Sequence, residues 1–100
     1  MEAINDEKAL AVGRMRLMEP TIADLKDKRR KLIAKLCDSL HSIASEDAGY
    51  TADFDVTELD TAVRKLAALQ RDLMSRVQAH NREAERADLT PIRVRPVHIT

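Results

Sequence analysis

From Val56 to Ala84, apolar residues return at alternating steps of three and four: Val56, Leu59, Val63, Leu66, Leu73, Val77 and Ala84. Gln70 and His80 occupy two slots of the same series. A mean step of 3.5 residues keeps one stripe of a helix turned toward one neighbour. A strand cannot use it, because its side chains alternate every second residue. Written as heptads, the a positions are Val56, Val63, Gln70, Val77 and Ala84, and the d positions are Leu59, Leu66, Leu73 and His80. β-Branched residues at a, Leu at d and one amide at a central a form a coiled-coil pattern. The stripe is wider than a two-stranded seam needs, with Ala62 and Leu69 at g and Ala67 and Met74 at e. That width predicts contact with more than one helix.

The entrance to this helix is marked. Asp55 is placed to cap it, with Glu58 three residues on completing a capping box, and Phe54 and Leu59 stand at the spacing of a hydrophobic staple. A second helix is expected from Thr21 to about Ser45, where Ile22, Leu25, Leu32, Leu36 and Ile43 keep heptad spacing, flanked by Ile33 and Leu40. Arg29 interrupts that series at a central a position. It lies at a depth comparable to Gln70, so it either meets Gln70 across the seam or extends out of it to solvent. The linker Glu46–Phe54 is long enough for the helices to lie antiparallel, and Gly49 is a candidate left-handed cap of the first.

Upstream, Asn5–Glu19 is also helix-prone, and Ile4, Ala11, Met15 and Met18 share the phase of Ile22 and Leu25. Pro20 stands between. Proline inside a helix costs about 3 kcal/mol, yet it is welcome at the first helical position. Either one long helix runs through Pro20 with a kink, or Pro20 opens a new helix after a short break; the unbroken phase favours continuation. After Arg86, two prolines and the β-branched Ile92, Val94, Val97 and Ile99 predict an extended tail. Such residues suit a groove or a sheet edge; the alternative is a terminus without order of its own.

Composition agrees. With two Gly and 2% aromatic residues in 100, short strands and tight turns have little to build from. The expected fold is all-α: an antiparallel, coiled-coil-like hairpin over residues 1–86 and an extended tail over 87–100. One hairpin of this length buries a thin core, so its broad stripes predict self-association, with a dimer forming a four-helix bundle as the first expectation. The lone Cys37 rules out an internal disulfide framework and fits a reducing, cytoplasmic setting. The acidic first residues with no apolar run behind them do not resemble a secretory signal, and no stretch reaches the length of a membrane span.

Net charge is zero, but unevenly laid out. Residues 21–45 carry six Lys/Arg against three acids, net +3. Residues 46–60 carry six acids and no base, net −6. Residues 61–86 carry six Lys/Arg against three acids, again net +3. A helix dipole explains acids at the start of the second helix, Asp55, Glu58 and Asp60. It does not explain Glu46 and Asp47, near the unfavourable end of the first.

Several constellations invite chemistry. Lys26, Lys28, Arg30, Lys31 and Lys35 could track phosphates. They spread around the helix, however, Asp24 and Asp27 stand four residues before Lys28 and Lys31, and no aromatics interleave for base stacking. A solvated helix face is the expected reading. Asp47–Glu58 has the length of an EF-hand loop but puts Gly49, Thr51 and Ala52 where ligands and the obligatory glycine belong. Cys37 and His41 are one turn apart, too few ligands for a metal site. His80, at a d position, reads as a core or interface histidine. No carboxylate pair, nucleophile motif or phosphate loop stands out. No catalytic residue, metal or cofactor is therefore expected. The expected function is a non-catalytic protein-binding module, such as an adaptor, inhibitor or chaperone, acting through the seam residues Val56–Val77 or the tail. The alternatives are a nucleic-acid-associated regulator using residues 26–35 and a structural part of a larger assembly.

Overall fold

The computed structural model describes the backbone of residues 2–99 and the side chains of residues 6–99; the side chain of Ile4 lies outside that range. Two helices account for the regular structure: α1, Glu2–Ala44, and α2, Val56–Arg86. They pack against each other, and no strand occurs among the described residues. The chain is all-α, as the 3.5-residue spacing requires.

α1 runs unbroken for 43 residues with Pro20 inside it. The heptad phase prevails over the proline. Pro20 brings no amide to the carbonyl four residues back, but Ala11, Met15, Ile22 and Leu25, on both sides of it, are all buried. Breaking the helix at Pro20 would take one half of that stripe off its partner.

By compactness the chain divides into two units. One takes the chain up to Ile22 together with everything from Met74 on; the other is Ala23–Leu73. Within the first, Lys8 meets Asp88 at 2.8 Å, Arg14 approaches Glu83 at 3.9 Å, and Glu19 lies 4.0 Å from His80. Rising numbers on α1 meet falling numbers on α2, so the helices are antiparallel here. Ala11, Met15, Ile22, Val77, Ala84 and Ala87 form its core. Small residues dominate, and Ala84 is 0% exposed, which leaves no room for a longer side chain there.

In the second unit, Arg29 Nη1 donates to Gln70 Oε1 at 2.6 Å. The two polar interruptions of the heptads meet, again in antiparallel register. Leu25 and Leu73 are buried, but Leu32, Leu36, Ile43, Leu59, Ala62, Leu66 and Leu69 are only half-buried. On α2 the inward side in this unit is therefore the d and g columns. The a column, Val56, Val63 and Gln70, faces out.

The helix ends are built from local hydrogen bonds. Asp55 caps α2, its Oδ1 accepting the Thr57 amide at 2.9 Å while its carbonyl accepts the Leu59 amide. α2 stops in a Schellman motif: the Leu89 amide donates to the Ala84 carbonyl and the Asp88 amide to the Glu85 carbonyl. The left-handed residue is Asp88, at φ 55°, where glycine is more usual. Gly49 does not serve as a left-handed cap for α1, because no glycine has positive φ. Its amide instead donates to Asp47 Oδ1 at 2.7 Å, closing an Asx turn beyond the helix end.

That turn also accounts for the acids that the dipole disfavours. One Glu46 oxygen, Oε2, accepts from the Ala52 amide at 2.6 Å and the Thr51 hydroxyl at 2.9 Å, and the Tyr50 hydroxyl donates to the Ser45 carbonyl. Glu46 is the clasp of the interhelical loop. The Ala52 amide, and after it the Thr51 hydroxyl, hold its carboxyl below its ordinary value of 4.5. A carboxylate depressed by folding stabilises fully above that ordinary value and loses its contribution as pH falls through the lower folded-state value. Acidification below about pH 4 should therefore shift the Ala52 amide resonance and loosen residues 46–52. Glu46→Gln should remove the pH dependence. An Ala52 resonance that ignores both changes would show that the clasp does not form in solution.

Candidate interaction surface

The exposed a column of α2 has a counterpart on α1. Val56 is 65% and Val63 49% exposed; on α1, Ile33 is 41% and Leu40 48% exposed. Ile33 and Leu40 are one heptad apart, as are Val56 and Val63. The Arg29–Gln70 bond fixes which side they share, because Gln70 continues the Val56–Val63 row and Ile33 lies one turn beyond Arg29. Helical geometry thus puts Ile33, Leu40, Val56 and Val63 on one side of the Ala23–Leu73 unit, with the half-buried Leu36 and Ile43 between them. Nearer the loop, Leu36, Leu40, Ile43, Phe54, Leu59 and Ala62 line a groove of about 510 Å³ whose rims carry Lys35, Lys65, Asp53 and Glu58. Phe54 and Leu59, at staple spacing in sequence, both contribute to it.

Of the seven seam residues singled out above, Leu73 and Val77 are buried, Leu59 and Leu66 are half-buried, and Val56, Val63 and Gln70 are exposed. The basic stretch is laced to its own acids. Lys28 pairs with Asp24 at 3.1 Å and Lys31 with Asp27 at 3.0 Å, both at i,i+4, and Arg30 reaches Asp27 at 3.7 Å. Lys31, by hydrogen bond and then by charge, draws the Asp27 carboxyl below its usual value. These pairs lie at the surface, where water and salt screen them, so each adds little to stability. Lys26 and Lys35 are exposed on the same helix.

Past the end of α2 the tail is fastened through Ile92. Asn81 Nδ2 donates to the Ile92 carbonyl at 2.9 Å, and the Ile92 amide donates to Asn81 Oδ1 at 2.8 Å. This two-way bond imitates a strand partner, so an extended segment is ordered without a sheet. Beyond it Val94, Val97 and Ile99 are exposed. No sequence signal pointed to Asn81, since an asparagine on a helix has no characteristic spacing to a tail.

Beside it lies a buried polar group that the heptads half foretold. His80 is 3% and Glu83 7% exposed. Glu83 Oε1 accepts from Arg86 at 2.9 Å. His80 Nδ1 is 3.2 Å from Asn81 Oδ1. The Ile92 backbone dictates the amide's orientation, so Oδ1 is an acceptor and Nδ1 carries the hydrogen between them. The other nitrogen, Nε2, is buried without a hydrogen-bond partner, as is Glu83 Oε2.

Cys37 is exposed. Among the described residues, no three His, Cys, Asp or Glu side chains converge as a metal site, and no helix is long and apolar enough to cross a membrane. In the loop, Asp47 and Asp55 are engaged with backbone amides. No protein-family model, curated protein or solved structure matches the chain.

Proposed function

We propose that the chain is a non-catalytic protein–protein interaction module working through a helical face. The observation that carries this reading is the exposed apolar side of the Ala23–Leu73 unit, where Ile33, Leu40, Val56 and Val63 stand in water on a surface otherwise rich in charge. Single exposed aliphatics are ordinary, but two aligned heptad rows beside a half-buried seam form a patch of the kind used for helix packing. Nucleic-acid binding ranks lower, because the basic residues spread around the helix and no aromatics interleave with them for base stacking. A part in a larger assembly uses the same face and would appear as association beyond a dimer.

A photo-crosslinking residue placed at position 63 of the full chain, in its own cells, tests the reading. Position 82, exposed on the same helix, is the control. A defined protein adduct at 63 and none at 82 is the expected result; no adduct at 63 would end the proposal.

A further inference from the structure

The Ala23–Leu73 unit is electrically two-ended. Its loop half, residues 36–63, holds seven acids (Asp38, Glu46, Asp47, Asp53, Asp55, Glu58 and Asp60) and no Lys or Arg, a net of −7. The remainder, residues 23–35 and 64–73, holds nine Lys/Arg against Asp24, Asp27 and Asp72, a net of +6. The ion pairs within α1 hide none of this, because pairing does not change a net charge. Both halves border the same apolar face. Its exposed residues run from Ile33 to Leu40 on α1 and from Val56 to Val63 on α2, so its middle falls near residue 38 of α1, close to the boundary between the charges.

Such a surface is complementary to itself in one orientation. A copy turned by a two-fold axis through the middle of the face lays its acidic half over the basic half of the first, twice over. The same axis lays the patch of Ile33, Leu40, Val56 and Val63 on the same patch of the copy, residue i of one meeting residue j of the other and j meeting i, as an isologous interface requires. Laid the other way, with loops together, −7 would meet −7. Opposed charges across a closed face lie within the ~10 Å screening length of 0.1 M salt, so they act on orientation at physiological ionic strength.

We infer that the partner of this face is a second copy of the same chain, laid antiparallel. The inference rests on the interaction reading above and names its occupant. Pairing covers the half-buried seam residues from a second side and places the basic half of one copy, with Lys26 in the Ile33–Leu40 row and Arg30 beside it, opposite the acidic loop of the other.

The test uses the full chain in three measurements. Light scattering across concentration should give a dimer. In a Cys37→Ser, Ala48→Cys background, spin labels on the two loops should lie about 30 Å apart, from ten residues on each side of the axis at ~1.5 Å rise; a loops-together dimer would bring them within about 20 Å. The triple variant Asp53→Lys, Glu58→Lys, Asp60→Lys should raise the dimer dissociation constant at least ten-fold with helicity retained. Mixing it with Lys28→Glu, Arg30→Glu, Lys31→Glu should restore a heterodimer. A monomer at all concentrations, loop labels within about 20 Å, or a triple variant that dimerises like the native chain would each overturn the inference. A monomer that still forms a defined adduct at position 63 with another protein would leave the interaction reading standing; a monomer with no adduct would end both.

Discussion

Leu73→Ala should unfold the Ala23–Leu73 hairpin under conditions where the native chain is folded. Leu73 is the largest of the fully buried side chains, at 2% exposure, and its neighbours in the seam above it are only half-buried. Removing a buried leucine's outer atoms costs about 2–5 kcal/mol, the upper end where the surroundings cannot collapse into the space. A core this thin has little stability to lose, since small domains hold roughly 0.05–0.15 kcal/mol per residue. A thermal melt followed by circular dichroism should show the midpoint falling by ten degrees or more, on the order of 4–8 °C per kcal/mol at this length. Val63→Ala, on the exposed row, serves as the comparison in dilute solution and should shift the midpoint far less. Equal losses at the two positions would mean that the seam of α2 is not turned as the structure has it.

His80→Leu should move stability the other way. The imidazole is buried with Nδ1 directed at Asn81 and Nε2 without a partner; the nearest candidate, Glu19 Oε2, is 4.0 Å off. A buried acceptor left unmade costs about 1–3 kcal/mol, and one ordinary hydrogen bond returns only about 0.5–1.5 kcal/mol. Leucine removes the unpartnered ring nitrogen, loses the Asn81 contact and buries more apolar surface, so the net gain should be about 1 kcal/mol. The melting midpoint should rise by several degrees. A drop instead would show that Nε2 is satisfied in solution, by water or by Glu19 closing in. Either result bears on the tail, because Asn81 is shared between His80 and Ile92.

The sequence by itself determined a good deal of this protein. A 3.5-residue apolar step admits only helices, so the class, the two elements and their antiparallel turn were legible. So were the Asp55 cap and the pairing of Asp24 and Asp27 with Lys28 and Lys31, because each depends on residues a few positions apart. The unbroken heptad phase across Pro20 favoured one helix, and α1 is one helix. Arg29 and Gln70 stood at matching depths, though only the packed helices decided that they bond.

Other features were settled by tertiary structure. Heptads name a stripe about 100° wide but not the direction in which its centre points. The a column of α2 is buried at Val77 and Ala84 and exposed at Val56 and Val63, because facing α1 shifts the contact onto the d and g columns below Leu73. That rotation leaves an apolar side open and makes it the candidate surface. Glu46, anomalous by the helix dipole, was explained only when the loop brought the Ala52 amide to it. Gly49 looked like a left-handed cap because glycine permits that conformation; permission is not requirement, and the Asp47 side chain took its amide instead. The Asn81–Ile92 clasp left no trace in the sequence, since eleven residues of spacing carry no period. Local spacing governs what a few turns of chain can do alone, and the sides left open depend on how whole helices rotate against each other.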